Sequence, residues 1–227
     1  MRKVKFVNDE YYHIYNRGVD KRIIFECQED LNRFFLSMEE FNTMNPIDSI
    51  YEAKRLRKKF SGSATELSKK KKLVNFVCYC LNPNHYHFIL KQLVDKGIQK
   101  FMHRLGTGYT EYFNKKYKRS GSLCQGKYQA IHIGSNEYLL HLSTYINLNY
   151  KVHNLEKFSG SATELFKSSW DEYVESDSNK NNRNKKGFCE KDIVLDQFGN
   201  AEAYKGFAKD SLKRIKENKR IKRFLLE

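Results

Sequence analysis

The chain has 227 residues, 40% of them hydrophobic, with 42 Lys and Arg against 27 Asp and Glu for a net charge of +15. That apolar share excludes global disorder and suits one sizeable domain with an appendage, while the positive excess points to a polyanionic partner. No apolar run reaches membrane-spanning length and no signal-peptide core follows Met1-Arg2-Lys3-Val4-Lys5, so nucleic acid is expected and a membrane is not.

Tyr11 to Arg17 alternates aromatic and β-branched residues and predicts a first strand. After the turn Gly18-Val19-Asp20, Glu29-Asp30 open a helix carrying Leu31, Phe34, Phe35, Met38 and Phe41, closing near Asn45-Pro46. Residues 51–72 read as a basic insertion, with Lys54, Arg55, Arg57, Lys58 and later Lys69 to Lys72. Leu73 to Leu81 predicts a strand, Asn82-Pro83-Asn84 a turn and His85 to Leu93 the returning strand. Ile98 to Tyr117 reads as a helix, Lys127 to Ile133 as a fourth strand, and Asn136 as the cap of a helix ending near Tyr150. This order predicts an α+β fold: a ferredoxin-like (RRM-like) antiparallel sheet with helices on one face, plus a C-terminal helical extension.

The predicted organisation is one domain over residues 1–173, a flexible linker over 174–191 and a basic helical extension over 192–227. The run Glu175 to Lys186 contains no apolar residue, which marks the linker. The segment Lys59 to Leu67 recurs identically as Lys157 to Leu165, outside the expected core elements, and no longer period accompanies it. The 5 cysteines (Cys27, Cys78, Cys80, Cys124 and Cys189) are odd in number and scattered. They predict reduced thiols and a cytoplasmic location. Cys78 and Cys80 have no second close pair, so they read as core thiols in place of a zinc half-site.

Two constellations carry chemistry. On a strand, His85 and His87 point to one face about 7 Å apart and can converge on one divalent cation, while Tyr86 and Phe88 turn into a core. Alone, such a pair also reads as two ordinary hydrogen-bonded histidines. In the last core helix Tyr145 and Asn149 are four residues apart and share a face. The amide oxygen of Asn149 can be a third ligand for a hard cation, with Asn147 as the alternative, and the phenol of Tyr145 can be a nucleophile. A free phenol titrates at about 10, so it needs a nearby cation to favour phenolate.

Asn82-Pro83-Asn84-His85-Tyr86-His87 resembles the HUH motif (His, bulky hydrophobic, His) of single-tyrosine transposases, and most closely the REP-associated tyrosine transposases. Tyr12 to Gly18 with Phe25 is similar to that family's opening strand and turn. Cys124-Gln125-Gly126-Lys127-Tyr128 is similar to the approach to its fourth strand, and Tyr145 to Asn149 to its tyrosine helix. Ser168 to Tyr173 resembles a segment following the core, so the likeness spans roughly residues 8 to 173. Two departures stand out: Asn82 occupies a place where methionine is frequent, and Asn147-Leu148-Asn149-Tyr150 lacks the usual proline.

The resemblance implies an enzyme that nicks and rejoins single-stranded DNA at hairpin-forming or palindromic elements, as a monomer or homodimer. Tyr145 would attack a backbone phosphate, giving a 5′-phosphotyrosine link and a free 3′-hydroxyl. His85, His87 and Asn149 would hold Mg²⁺ or Mn²⁺. Arg17 and Lys127, each beside a matched motif, are expected DNA contacts. The alternatives are a catalytically inactive or non-enzymatic ssDNA- or RNA-binding module of the same fold, and a metal-dependent hydrolase, which lacks the expected carboxylate cluster.

Overall fold

Side-chain alternation builds the sheet. The computed structural model describes residues 4–47, 49–51, 55, 71–152, 165–174 and 187–224. Strands β1 (Tyr11–Arg17), β2 (Val74–Asn82), β3 (His85–Gln92), β4 (Gln129–His132) and β5 (Lys167–Ser168) form one sheet ordered β4-β1-β3-β2-β5. Every pairing is antiparallel. Helix α1 (Gln28–Glu40) follows β1, α2 (Gly97–Lys116) follows β3, and α3 (Asn136–Asn147) follows β4. The expected α+β class and antiparallel sheet are therefore found, with β5 as a short fifth strand.

Helices cover both faces of this sheet, which corrects the expectation of one. Tyr12, Ile14, Phe76, Tyr86, Phe88 and Leu90 join Leu31, Phe34, Phe101 and Leu105 of α1 and α2 in one apolar cluster. Val77, Cys78, Cys80 and Ile89 join Leu139, Leu142 and Ile146 of α3 in a second. The reason lies in β3, where Phe88, Ile89 and Leu90 are consecutive and fully buried, so neither face can be left to water.

Local chemistry moves several boundaries. α1 stops at Glu40 because buried Asn42 diverts the chain onto β2. Its Oδ1 accepts from the Leu73 and Val74 amides at 3.0 Å each, and its Nδ2 donates to the Val74 carbonyl at 2.8 Å. Ser135, not Asn136, caps α3, accepting from the Tyr138 amide at 3.2 Å. α3 ends at Asn147, and after Leu148 (φ −108°, ψ 17°) the short α4 (Asn149–Val152) begins.

The C-terminal segment is packed against the core. Phe188 and Cys189 join the first cluster, and the Glu190 amide donates to the Phe76 carbonyl at 2.7 Å. Past α5 (Trp170–Val174) and α6 (Asp192–Leu195), α7 (Ala201–Phe224) buries Tyr204 and Ala208 in the second cluster with α3. Residues 187–191 of the expected linker are thus structural. Its remainder over 175–186, most of the basic insertion and both copies of the repeat except Leu165 lie outside the described residues. Among the described residues no helix is long and apolar enough to cross a membrane.

One buried acid ties α1 to the end of α2. Asp30 receives Lys116 Nζ at 2.8 Å, the Tyr117 hydroxyl at 2.7 Å, the Tyr112 hydroxyl at 2.9 Å and the Glu26 amide at 2.9 Å. Burial pushes this carboxyl up, but the four donors outweigh it and hold it below the ordinary carboxylate value. Asp30→Asn is expected to cost about 2–3 kcal/mol at pH 7, read by urea denaturation. A carboxylate depressed in the folded state contributes fully above its unfolded pKa of about 3.9 and loses that contribution as pH falls further. The gap between wild type and variant should therefore narrow in acid; a constant gap down to pH 3 would refute the assignment.

Candidate active site

A bulge aims the end of β2. Phe76 pairs with Leu90, yet Cys78 pairs with Ile89, leaving Val77 as the extra residue. Before it Val74 and Phe76 face α1 and α2; after it Cys78 and Cys80 face α3. Asn82 follows in the same alternation and lands opposite His85, which in turn pairs across β1 with Arg17. His87 lies between Cys80 and Tyr15.

His85 offers its Nε2 lone pair inward. Its Nδ1 lies 2.6 Å from Asn84 Oδ1, a pure acceptor, so the ring carries its proton on Nδ1. Nε2 then faces Asn149 Oδ1 at 3.1 Å, acceptor against acceptor. Asn82 Nδ2 bridges them, donating to Asn149 Oδ1 at 2.8 Å and to His85 Nε2 at 3.0 Å. Two converging lone pairs bridged by the Asn82 amide are a fit place for a cation, and the nitrogen and amide-oxygen set suits a borderline-to-hard divalent ion.

His87 stands edge-on to His85, ring centroids 5.3 Å apart, and edge-on to Tyr145 at 5.8 Å. Tyr15 stacks on it at 5.5 Å, and its Nδ1 shares a proton with His13 Nε2 at 2.9 Å. Burial takes His13 down to about 4, so the ring next to His87 is neutral at pH 7. The Tyr145 phenol is half-buried; burial pushes it above its ordinary value, and the Asn149 amide acts in the opposite direction.

A cavity of about 800 Å³ opens over these groups, lined by Tyr15, Arg17, Lys21, His85, His87 and Tyr145 among others. Both charged groups on its wall are basic, and the Arg17 guanidinium is oriented by Gln125 Oε1 at 2.7 Å. A basic wall of this kind suits a phosphodiester. Among the described residues no cluster of three or more His, Cys, Asp or Glu is formed.

The structure therefore gathers His85, His87, Asn149, Tyr145 and Arg17 at one end of the sheet, and separates Lys127 from them. Lys127 lines a different cavity of about 910 Å³, with Tyr86, Met102 and Tyr128. Sequence reasoning missed His13, Lys21 and the inward role of Asn82. His13 was within reach, being two residues before Tyr15 on the same strand face, but its meeting with His87 depends on the register.

Asn147 and Asn149 are told apart by their partners. Asn147 Nδ2 donates to the Tyr204 hydroxyl at 2.9 Å, and its Oδ1 accepts from Ser169 Oγ at 2.6 Å, so it joins α3 to α7 and to the residue after β5. Asn149 instead faces His85 and leaves its own Nδ2 buried without a hydrogen bond. We expect Asn147→Ala to cost about 2–3 kcal/mol in urea denaturation, since it removes two buried hydrogen bonds that join α3 to α7 and to Ser169. Asn149→Ala should stay within about 1 kcal/mol of wild type, because it removes an orphaned donor and leaves Asn82 its bond to His85.

Residues 49–149 match the family described as "Transposase IS200 like", a span holding His85, His87, Tyr145 and Asn149. The likeness to the single-tyrosine transposases read from the motifs is thereby shown. No curated protein matches the chain. Among solved structures, a REP-associated tyrosine transposase bound to a REP hairpin aligns with TM-score 0.43 and 11% identity, covering 77% of this chain and 84% of that one. The tRNA(His) guanylyltransferase of Saccharomyces cerevisiae aligns with TM-score 0.32 and 14% identity, covering 67% of this chain and 63% of that one.

Proposed function

We propose that this chain, whose residues 49–149 match the IS200-like transposases, cleaves and rejoins single-stranded DNA through Tyr145, at hairpin-forming or palindromic elements. The observation that supports it most is that Tyr145, His85 and His87 line one basic cavity, with Asn149 Oδ1 buried 3.1 Å behind His85 Nε2. Arg17 and Lys21 hold and orient the phosphodiester along that wall. The Tyr145 oxygen attacks phosphorus, its proton passing to solvent, and the bond from phosphorus to the 3′ oxygen breaks. The 3′ oxygen takes up a proton, leaving a 3′-hydroxyl and a 5′-phosphotyrosine. Attack by another 3′-hydroxyl reverses the step and frees the phenol, so bond energy is conserved within the phosphodiester.

His85, His87 and Asn149 would hold Mg²⁺ or Mn²⁺. Such an ion, when bound, lowers the cost of forming phenolate and stabilises charge on the phosphate. That help matters here because burial opposes ionisation of Tyr145. His13 keeps the His87 ring in place through the shared proton.

The test is to incubate labelled hairpin-bearing single-stranded DNA with the protein and Mn²⁺ and to look for a covalent adduct on a denaturing gel. Wild type should form it, Tyr145→Phe should not, and His85→Ala should lose it or require at least about tenfold more metal. An undiminished adduct with Tyr145→Phe removes the nucleophile assignment. Binding without cleavage in every metal tried would favour a non-enzymatic DNA-binding module.

A further inference from the structure

We propose that Asn82 is a further oxygen ligand of the cation site, reached by a half-turn of its carboxamide. The inference rests on the cation reading of His85, His87 and Asn149. Asn82 is fully buried at the end of β2, on the α3 side only because of the Val77 bulge. Its Nδ2 lies 2.8 Å from Asn149 Oδ1 and 3.0 Å from His85 Nε2, and those two atoms are 3.1 Å apart. The three atoms form a nearly equilateral triangle. One face of an octahedron of ligands at about 2.1 Å from a Mg²⁺-sized ion has edges of about 3.0 Å, the bond length times the square root of two. The triangle has the size of such a face.

An amide nitrogen has no lone pair to give a cation, so the orientation observed is the one suited to holding two acceptors apart. A carboxamide's two ends have nearly the same size and geometry. Rotation by half a turn about Cβ–Cγ puts Oδ1 where Nδ2 stands, with no movement of the backbone. In the orientation observed, Oδ1 accepts from Cys80 Sγ at 3.6 Å; after the turn, Nδ2 faces the same sulfur, which can accept weakly. Both orientations therefore satisfy the buried amide. In one its N–H supplies the positive end that His85 and Asn149 require; in the other its oxygen completes the triangle around an ion. Two carboxamide oxygens beside imidazole nitrogen bias the site towards Mg²⁺ and Mn²⁺ over softer ions.

Mn²⁺ binding to the full-length protein, followed by the loss of the free-ion paramagnetic resonance signal with Cd²⁺ as competitor, tests this. Asn82→Met exchanges a hard oxygen for a soft thioether and should lower Mn²⁺ affinity relative to Cd²⁺ at least about tenfold. Asn82→Asp, nearly isosteric and charged, should tighten Mn²⁺. If Asn82 only positions its neighbours, Asn82→Met weakens both ions equally and the ratio stays at the wild-type value, which overturns the proposal. Should Asn82→Met fail to fold by circular dichroism, Asn82→Asp decides: tighter Mn²⁺ supports direct ligation and equal or weaker binding refutes it. His85→Ala separates the two levels. Wild-type Mn²⁺ binding in that variant defeats the cation site itself, whereas loss there with an unchanged Asn82→Met ratio defeats only the role of Asn82.

Discussion

The one-residue bulge at Val77 is the constraint from which the candidate site follows. In a strand, a slip of one residue exchanges the two faces of everything beyond it. Without the bulge Cys78, Cys80 and Asn82 would turn towards α1 and α2, and Tyr79 and Leu81 would meet α3. The bulge lets β2 serve two cores in succession, giving Phe76 and Tyr79 to one and Cys78 and Cys80 to the other. Its last side chain, Asn82, then meets His85 across a two-residue turn that holds the pair in register.

Covering the sheet on both faces has a functional consequence. α3 must lie on the same face as His85 and His87 if Tyr145 is to reach them, so that face cannot be solvated. Its apolar stripe of Leu139, Leu142 and Ile146 needs a further cover, which Tyr204 and Ala208 of α7 provide. Asn147 and Ser169 then set the height of α3 over β2: Ser169 Oγ donates to Asn147, and accepts from the Tyr79 amide at 2.9 Å. The C-terminal helix thus belongs to the scaffold that holds the tyrosine, whatever else its basic surface contacts.

Much of this was legible in the sequence, for definable reasons. The β2–β3 hairpin announces itself through Asn82-Pro83-Asn84 between two apolar strands, and the alternation after the turn gives the faces of His85 and Phe88. What stayed hidden depends on contacts between distant residues. Val77 sits in an unbroken apolar run and carries no turn residue to betray a bulge. Asn147 and Asn149 are two residues apart, and only the break at Leu148 gives them different neighbours. Residues 174–191 read as a linker and 192–227 as an extension because their polar majority masks Cys189, Tyr204 and Ala208, whose burial is a matter of tertiary packing. Lys127 adjoins a matched motif just as Arg17 does, but adjacency in sequence says nothing about which side of the sheet a side chain serves.

The polar atoms left without partners point the same way as the motifs. Two structural amides are satisfied at both ends: Asn42 binds three backbone groups, and Asn147 binds two hydroxyls. Three buried side-chain atoms among the described residues have no hydrogen bond, and two of them, His13 Nδ1 and Asn149 Nδ2, lie in the candidate site. Each such atom costs about 1–3 kcal/mol of desolvation without return. A fold selected for stability alone would replace Asn149 with an apolar residue and leave His13 no ring nitrogen to strand. In each the other end is engaged, His13 Nε2 with His87 and Asn149 Oδ1 beside His85, and the leftover end is the consequence of aiming the first. Asn82 completes the pattern from the opposite side, as a donor whose position satisfies two acceptors that would otherwise repel.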